Sequence, residues 1–260
     1  MLHETLTLPW RRVSVAGVGL DPLTESEVVL LVRRAIERGA GGRIVTPNVD
    51  ILRQAAADPE LRADLASADL VLADGAPLVW AARLAGNPLP ARVAGSDLIW
   101  SLSQALAYDE RSVYLLGGDP ASVGAHRAAA RLAATYPGLR IAGHASPRFG
   151  FDSDPDELDA VCADLIETKP DLVFVGLGFP RQEHVIRRLR GDLPATWFLG
   201  CGAAINFVAG DHRRAPLLLQ RLGLEWLHRL LSEPRRLARR YLVHDAPYAA
   251  RLLIRATLRR

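Results

Sequence analysis

The residues able to do chemistry stand at the ends of short apolar runs. Thr46-Pro47-Asn48 closes the run Arg43–Thr46, Asp74-Gly75 follows Leu70–Ala73, and Gly117-Gly118-Asp119 follows Ser112–Leu116. Gly176–Glu183 and Gly200–Asn206 follow two later runs. In an open α/β sheet ligands bind beyond the carboxyl ends of the strands, so polar side chains there are the first candidates for a site. Taken singly, each has a plain structural reading. Asp-Gly is a common turn, and Thr46 and Asn48 can form Thr- or Asx-turns around Pro47. Asp152-Ser153-Asp154 spells DxD, a pattern that can hold a divalent ion beneath a diphosphate. It also precedes Asp156 and Glu157 at a predicted helix start, where acids cap the helix and complement its dipole; capping is the reading preferred here. HExxH and paired-cysteine patterns are absent, the His/Asp content shows no ligand spacing, and no metal is expected.

Three GxG turns, at Gly17, Gly176 and Gly200, lack the third glycine of a dinucleotide fingerprint: those positions hold Pro22, Arg181 and Ile205. A nicotinamide or flavin enzyme is disfavoured. A P-loop is excluded, because the sole lysine, Lys169, follows Thr168 rather than a glycine. No cofactor is expected. Gly17 and Gly19 read as a tight strand-to-helix turn, and Gly176 and Gly178 as backbone that approaches a phosphate.

The elements that position these residues follow from the apolar pattern. The chain has 260 residues, 49% apolar and 23% charged, which describes a globular protein of one large domain or two small ones. Strands are predicted at Val13–Val18, Arg43–Thr46, Leu70–Ala73, Ser112–Leu116, Arg140–His144, Leu172–Leu177 and Thr196–Leu199. Helices are predicted at Glu25–Arg38, opened by a Thr24/Glu27 capping box, and at Ser96–Ala107, Ala121–Tyr136 and Asp156–Thr168. Strands alternating with helices imply an α/β fold with a mostly parallel sheet flanked by helices. The polar stretch Ala107–Arg111 suggests two sheets, hence an N-terminal half 1–108 and a C-terminal half 109–210. After Gly210 helices broken by Pro216, Pro234 and Pro247 predict a helical appendage over 211–260.

Charge is uneven along the chain. Residues 221–260 hold ten arginines against Glu225, Glu233 and Asp245, a net +7 in a chain of +3, which leaves −4 for the rest. A basic tail seeks phosphates on nucleic acid, anionic lipid or substrate. Arginines alternating with Leu237, Tyr241, Leu242, Tyr248, Leu252, Leu253 and Ile254 make the amphipathic pattern that lies on anionic membranes, with a helix packed on the body as the alternative. Nucleic acid is disfavoured because the body's few aromatics are not clustered for stacking. Cys162 and Cys201 form no disulfide framework and suit a reducing compartment. Met1–Val13 lacks the apolar region of a signal peptide, and no run is long enough to span a membrane.

Several blocks together carry a resemblance. They are Arg43-Ile-Val-Thr46-Pro-Asn48, Leu72-Ala-Asp74-Gly75, Arg92-Val-Ala-Gly95-Ser-Asp97-Leu98 and Tyr114-Leu-Leu-Gly117-Gly118. Further on come Gly176-Leu-Gly178-Phe-Pro180-Arg181-Gln182-Glu183, then Gly202…Ala209-Gly210…Arg214-Ala215-Pro216, and Gly223-Leu-Glu225-Trp226-Leu-His-Arg229…Glu233-Pro234-Arg235-Arg236…Arg239-Arg240-Tyr241. From about Val13 to about Tyr241 the chain resembles the WecG/TagA/CpsF family of bacterial glycosyltransferases.

That resemblance implies a Rossmann-like fold with a C-terminal appendage that contacts the membrane and completes the site. It implies an inverting transfer from a UDP-sugar to a saccharide on a polyprenyl-diphosphate lipid, for teichoic acid, common antigen or exopolysaccharide. N-acetylmannosamine, its uronic acid and glucose are all open as the transferred sugar. The protein would be cytoplasmic, peripheral on the inner face of the cytoplasmic membrane, with a homo-oligomer left open. The resemblance makes Asp74 the catalytic base and puts Thr46, Asn48, Gln182, Arg92 and Gly178 at the acceptor or donor. Arg229, Arg236 and Arg239 would face the departing diphosphate, whose growing charge needs a cationic partner; Arg235 and Arg240 read as solvated or lipid-facing. Glu183 could complement a helix N-terminus or touch ligand, and Arg92 could pair with Asp97. Asn206 stands where the family has an acid, which puts a carboxylate role there in doubt. The competing class is a non-catalytic phosphate-ligand or nucleic-acid binding module that uses the arginine tail.

Overall fold

The computed structural model describes residues 10–221 and 223–258. Residues 1–9, on which the leader reading partly rests, lie outside the described residues, as do Arg259 and Arg260 of the basic tail. In chain order the strands are β1 (Val13–Val15), β2 (Val18–Leu20), β3 (Gly42–Val45), β4 (Leu70–Val71), β5 (Ser112–Gly117), β6 (Arg140–Ala145), β7 (Leu172–Gly176) and β8 (Trp197–Gly200). The helices are α1 (Glu25–Glu37), α2 (Val49–Ala57), α3 (Pro59–Ala66), α4 (Ala76–Leu84), α5 (Gly95–Tyr108), α6 (Gly124–Thr135), α7 (Pro155–Thr168), α8 (Arg181–Arg190) and α9 (Ala204–Ala209). After them come α10 (Leu217–Arg221), α11 (Glu225–Ser232), α12 (Pro234–Ala238) and α13 (Ala246–Leu258), with a π-helical turn at Arg239–Asp245. The class is α/β and Rossmann-like, with helices flanking parallel strands and a helical C-terminal stretch.

The chain forms two compact units, each assembled from non-consecutive segments. One gathers residues 1–24, 46–93 and 213–260; the other gathers 25–45 and 94–212. In the second unit the strands run in the order β3-β8-β7-β5-β6, all parallel. Strands β3 and β8 are buried throughout, β5 and β7 nearly so, and β6 is part-exposed, as its place at an edge requires. Burial on both faces explains why the inner strands read as unbroken apolar runs rather than alternations. Tyr114, Leu116, Val173, Val175 and Phe198 from these strands pack with Cys162 and Leu165 of α7 and Val185, Ile186 and Leu189 of α8 into a buried core. The expected break into two sheets near Ala107–Arg111 does not occur: β3, before it, pairs in register with β8, after it. The polar stretch is the end of α5 and its turn into β5.

In the first unit the predicted strand Val13–Val18 is instead a hairpin, with Val15 opposite Val18. Ala16 and Gly17 both take positive φ, 53° and 81°, the backbone of a two-residue primed turn. Gly17 therefore turns a strand into a strand, not into a helix. Asp21 anchors the hairpin: its carboxylate accepts from the Val71 N–H at 2.7 Å and pairs with Arg12 at 3.1 Å. The C-terminal helices belong to this unit, where α13 packs on α4 and Tyr248 donates to the Leu52 carbonyl. Pro216 and Pro234 mark helix starts, where a missing N–H costs nothing. Pro247 does not break the chain's course; it falls in the first turn of α13, behind the π-helical turn. Among the described residues no helix is long and apolar enough to cross a membrane.

Candidate active site

In the first unit the backbone brings three predicted segments together. After β4 the buried Leu72 and Ala73 lead to Asp74 and Gly75, and α4 begins at once. The Asp74 N–H donates to the Pro47 carbonyl, and the Val93 N–H to the Ala73 carbonyl, each at 2.9 Å. Residues 46–48, 73–75 and 92–93 therefore lie side by side. Thr46 is buried there. Asn48 uses its side chain as the N-cap of α2, accepting from the Ile51 N–H at 3.1 Å, which is the local turn role that sequence alone favoured.

Asp74 and Arg92 remain accessible, with side chains 28% and 24% exposed. Arg92 Nη1 stands 3.4 Å from Asp74 Oδ1 and, equally, 3.4 Å from Glu225 Oε2. The other oxygen of Glu225 takes Arg214 Nε at 3.3 Å. The result is a row of alternating charges: Asp74, Arg92, Glu225, Arg214. Glu225 and Arg214 both lie in the blocks that carry the family resemblance, and neither has a role predictable from its own neighbourhood. The available signal was composition, since Glu225 is one of three acids among ten arginines and had to answer some of them.

The remaining C-terminal arginines divide by environment. Arg229 is half-buried on α11, while Arg235, Arg236 and Arg239 are exposed. Arg236 pairs with Glu233 at 2.5 Å. Arg240 is not a free surface cation: its Nε lies 3.3 Å from Asp50 and 3.4 Å from Asp245, and its guanidinium sits over the Tyr241 ring. Trp226, Leu227, Leu231, Leu242, Val243 and Ile254 are exposed apolar residues on the same stretch.

In the second unit the strand-end residues are closed inward. Gly178, at positive φ, makes the turn between β7 and α8, and its carbonyl accepts from the Gln182 N–H. Gln182 is only 3% exposed; its carbonyl oxygen accepts from the Gly202 N–H at 3.2 Å and its amide group donates to Glu183. Glu183, fully buried, pairs with the equally buried Arg43 of β3 at 3.1 Å. Asp154 caps α7, accepting from the Asp156 and Glu157 N–H groups. Arg148 pairs with Asp154 and Glu157, and Asp152 lies 3.9 Å from Arg181. Among the described residues no three His, Cys, Asp or Glu side chains are grouped to hold a metal. Asn206, on α9, is part-buried and its carbonyl accepts from the Asp211 N–H.

Comparison with known proteins decides between the readings. The description "Glycosyl transferase WecG/TagA/CpsF family" matches residues 13–260. The chain belongs to that family. It is a glycosyltransferase, and the binding-module alternative gives way. One relative, an N-acetylglucosaminyldiphosphoundecaprenol N-acetyl-beta-D-mannosaminyltransferase of Bacillus spizizenii, is 34% identical over 201 residues, covering 77% of this chain and 75% of its own. A protein of the same name from Bacillus subtilis (strain 168) is 30% identical over 204 residues, covering 78% and 77%. The glycosyltransferase thus shares about three quarters of its length with proteins named for transfer of a sugar to a lipid-linked saccharide.

Proposed function

We propose that the protein transfers N-acetylmannosamine, with inversion, from a UDP-linked donor to N-acetylglucosamine carried on an undecaprenyl diphosphate. The observation that carries this reading is Asp74: an accessible carboxylate just beyond a strand's carboxyl end, with the Arg92 guanidinium 3.4 Å away. A general base must meet the acceptor hydroxyl within hydrogen-bond reach, and the Asp74 carboxylate, 28% exposed, is open to such an approach. The relatives' names, with an N-acetylglucosaminyldiphosphoundecaprenol acceptor and an N-acetyl-beta-D-mannosaminyl group, support this acceptor and a β product, which a single displacement on an α-linked UDP donor would give.

Thr46 and Asn48, held against Asp74 by the Pro47 carbonyl, lie where they can orient the acceptor. Gln182 and Gly178 shape the turn that opens α8, and the buried amide of Gln182 fixes it through Gly202 rather than reaching outward. As the bond to the donor breaks, charge gathers on the diphosphate, and Arg229, Arg236 and Arg239 are the cations assigned to it. We take residues 211–260 as the appendage that lies on the inner face of the cytoplasmic membrane. Trp226, Leu231 and Ile254 are exposed among arginines, and each basic residue near an anionic surface contributes about 1 kcal/mol.

The test is direct. The purified protein, given UDP-N-acetylmannosamine and a short-chain prenyl-diphosphate N-acetylglucosamine, should yield a product heavier by one N-acetylhexosamine, with a β anomeric signal by NMR. Transfer only from the uronic acid or glucose donor would replace the sugar assignment; an α product would remove the inverting step.

A further inference from the structure

Glu225 stands 133 residues from Arg92 in sequence, yet the two share a contact that reaches Asp74. Its place is fixed by backbone packing. Gly223 takes φ +71°, and a Cβ there would lie 2.5 Å from Ala76 Cβ and 3.4 Å from the Trp80 ring. Ala76 opens α4, one residue beyond Asp74-Gly75. The turn before α11 is therefore pressed onto the first turn of the helix that follows Asp74, and Glu225 begins α11 two residues later. An acid in a first turn commonly just complements the helix dipole. Here both carboxylate oxygens are turned to guanidinium groups instead, Oε2 to Arg92 and Oε1 to Arg214.

From this we infer that Glu225 is a positioning residue for the transfer: by sharing Arg92 with Asp74 it keeps that guanidinium from closing on the base. The inference rests on the reading of Asp74 as base. Arg92 Nη1 is equidistant, at 3.4 Å, from the two carboxylates, longer than a tight charge-assisted contact of about 2.8 Å. An arginine given wholly to Asp74 would hold it as a settled ion pair and weaken it as a proton acceptor. Glu225 draws Arg92 the other way, and Arg214 keeps Glu225 in place.

The experiment compares Glu225→Gln, Glu225→Asp and the charge swap Arg214→Glu with Glu225→Arg, alongside Asp74→Asn, using the full chain with donor and acceptor as above. Glu225→Gln should lower kcat about tenfold while donor KM stays within about twofold, with Glu225→Asp in between. The swap rebuilds the Arg214–Glu225 pair in reverse but sets a cation against Arg92, so it should keep the melting temperature and still lose turnover. Full activity in Glu225→Gln, or activity regained by the swap, would overturn the inference, because Glu225 would then only tie down Arg214. A dead Asp74→Asn beside an active Glu225→Gln defeats the inference alone; an Asp74→Asn that turns over normally defeats the reading of the base.

Discussion

Each unit holds an arginine beside a carboxylate, and the two pairs live in opposite surroundings. Arg43 and Glu183 are 1% and 0% exposed, 3.1 Å apart, with Gln182 filling the space beside them. Arg92 and Asp74 are about a quarter exposed and 3.4 Å apart, and a second carboxylate competes for the arginine. A pair shut away from water cannot change partner or protonation state without leaving a buried charge, so it can hold a fold but cannot do chemistry. A half-open pair with a shared cation can take up a proton at little cost. The two pairs are alike in residue type and differ in burial, which suits one to architecture and supports the proposed reaction role of the other.

The sharpest way to break that comparison is to neutralise one carboxylate in each. Asp74→Asn should cost about 10²–10⁴ in turnover, the usual span for a lost general base, with the melting temperature nearly unchanged because the site is already wet. Glu183→Ala should do the reverse. It removes the carboxylate beside the buried Arg43 charge, at a cost of about 3–5 kcal/mol. In a chain of this size that is a fall of about 6–20 °C in Tm, read by calorimetry. A Glu183→Ala protein that melts normally but fails to transfer sugar would exchange the two roles.

A third substitution sharpens the link between the base and the C-terminal segment. Gly223→Ala adds a methyl at positive φ, against Ala76. Strain plus overpacking should cost about 1–3 kcal/mol. Because the push falls on the turn that seats Glu225, turnover should drop more than stability suggests. Loss of Tm with kcat intact would uncouple that turn from the base.

These sites differ also in how far they could be read from the chain. Ser112–Leu116 and Leu172–Leu177 were legible as strands because burial on both faces leaves no polar interruption. The hairpin at Val13–Leu20 was not, since its two apolar arms run together across a two-residue turn. The helices Pro59–Ala66 and Ala76–Leu84 escaped the apolar period; their marks were the Asp58 cap and early prolines, which punctuate a helix without describing its face. Asp74 stood out only in company with the other blocks, an Asp-Gly alone being a turn. The pairs Arg43–Glu183 and Arg92–Glu225 join residues 140 and 133 apart, and nothing local to either partner announces the other. Arg240 was read as a surface cation for the same reason: its partner Asp50 lies far back in the chain, on α2.

The smallest expected effect comes from a third arginine–carboxylate group, where two of each meet. Asp50 and Asp245, both buried, share Arg53 and Arg240 between α2 and the π-helical turn. Burial, and next the charge of Asp50, push the Asp245 carboxyl above its ordinary value, while Arg240 and Arg53 pull it back less strongly. A carboxyl with a raised folded value binds its proton better in the folded chain than in the unfolded one. Its stabilising contribution is therefore full below the unfolded value and lost as the pH rises through the folded one. Asp245→Asn carries no such proton. Melting temperatures of the two proteins from about pH 4 to about pH 8 should show the wild type losing ground to the variant as pH rises, then running parallel near neutrality. The opposite slope would mean that the two arginines outweigh burial at this site.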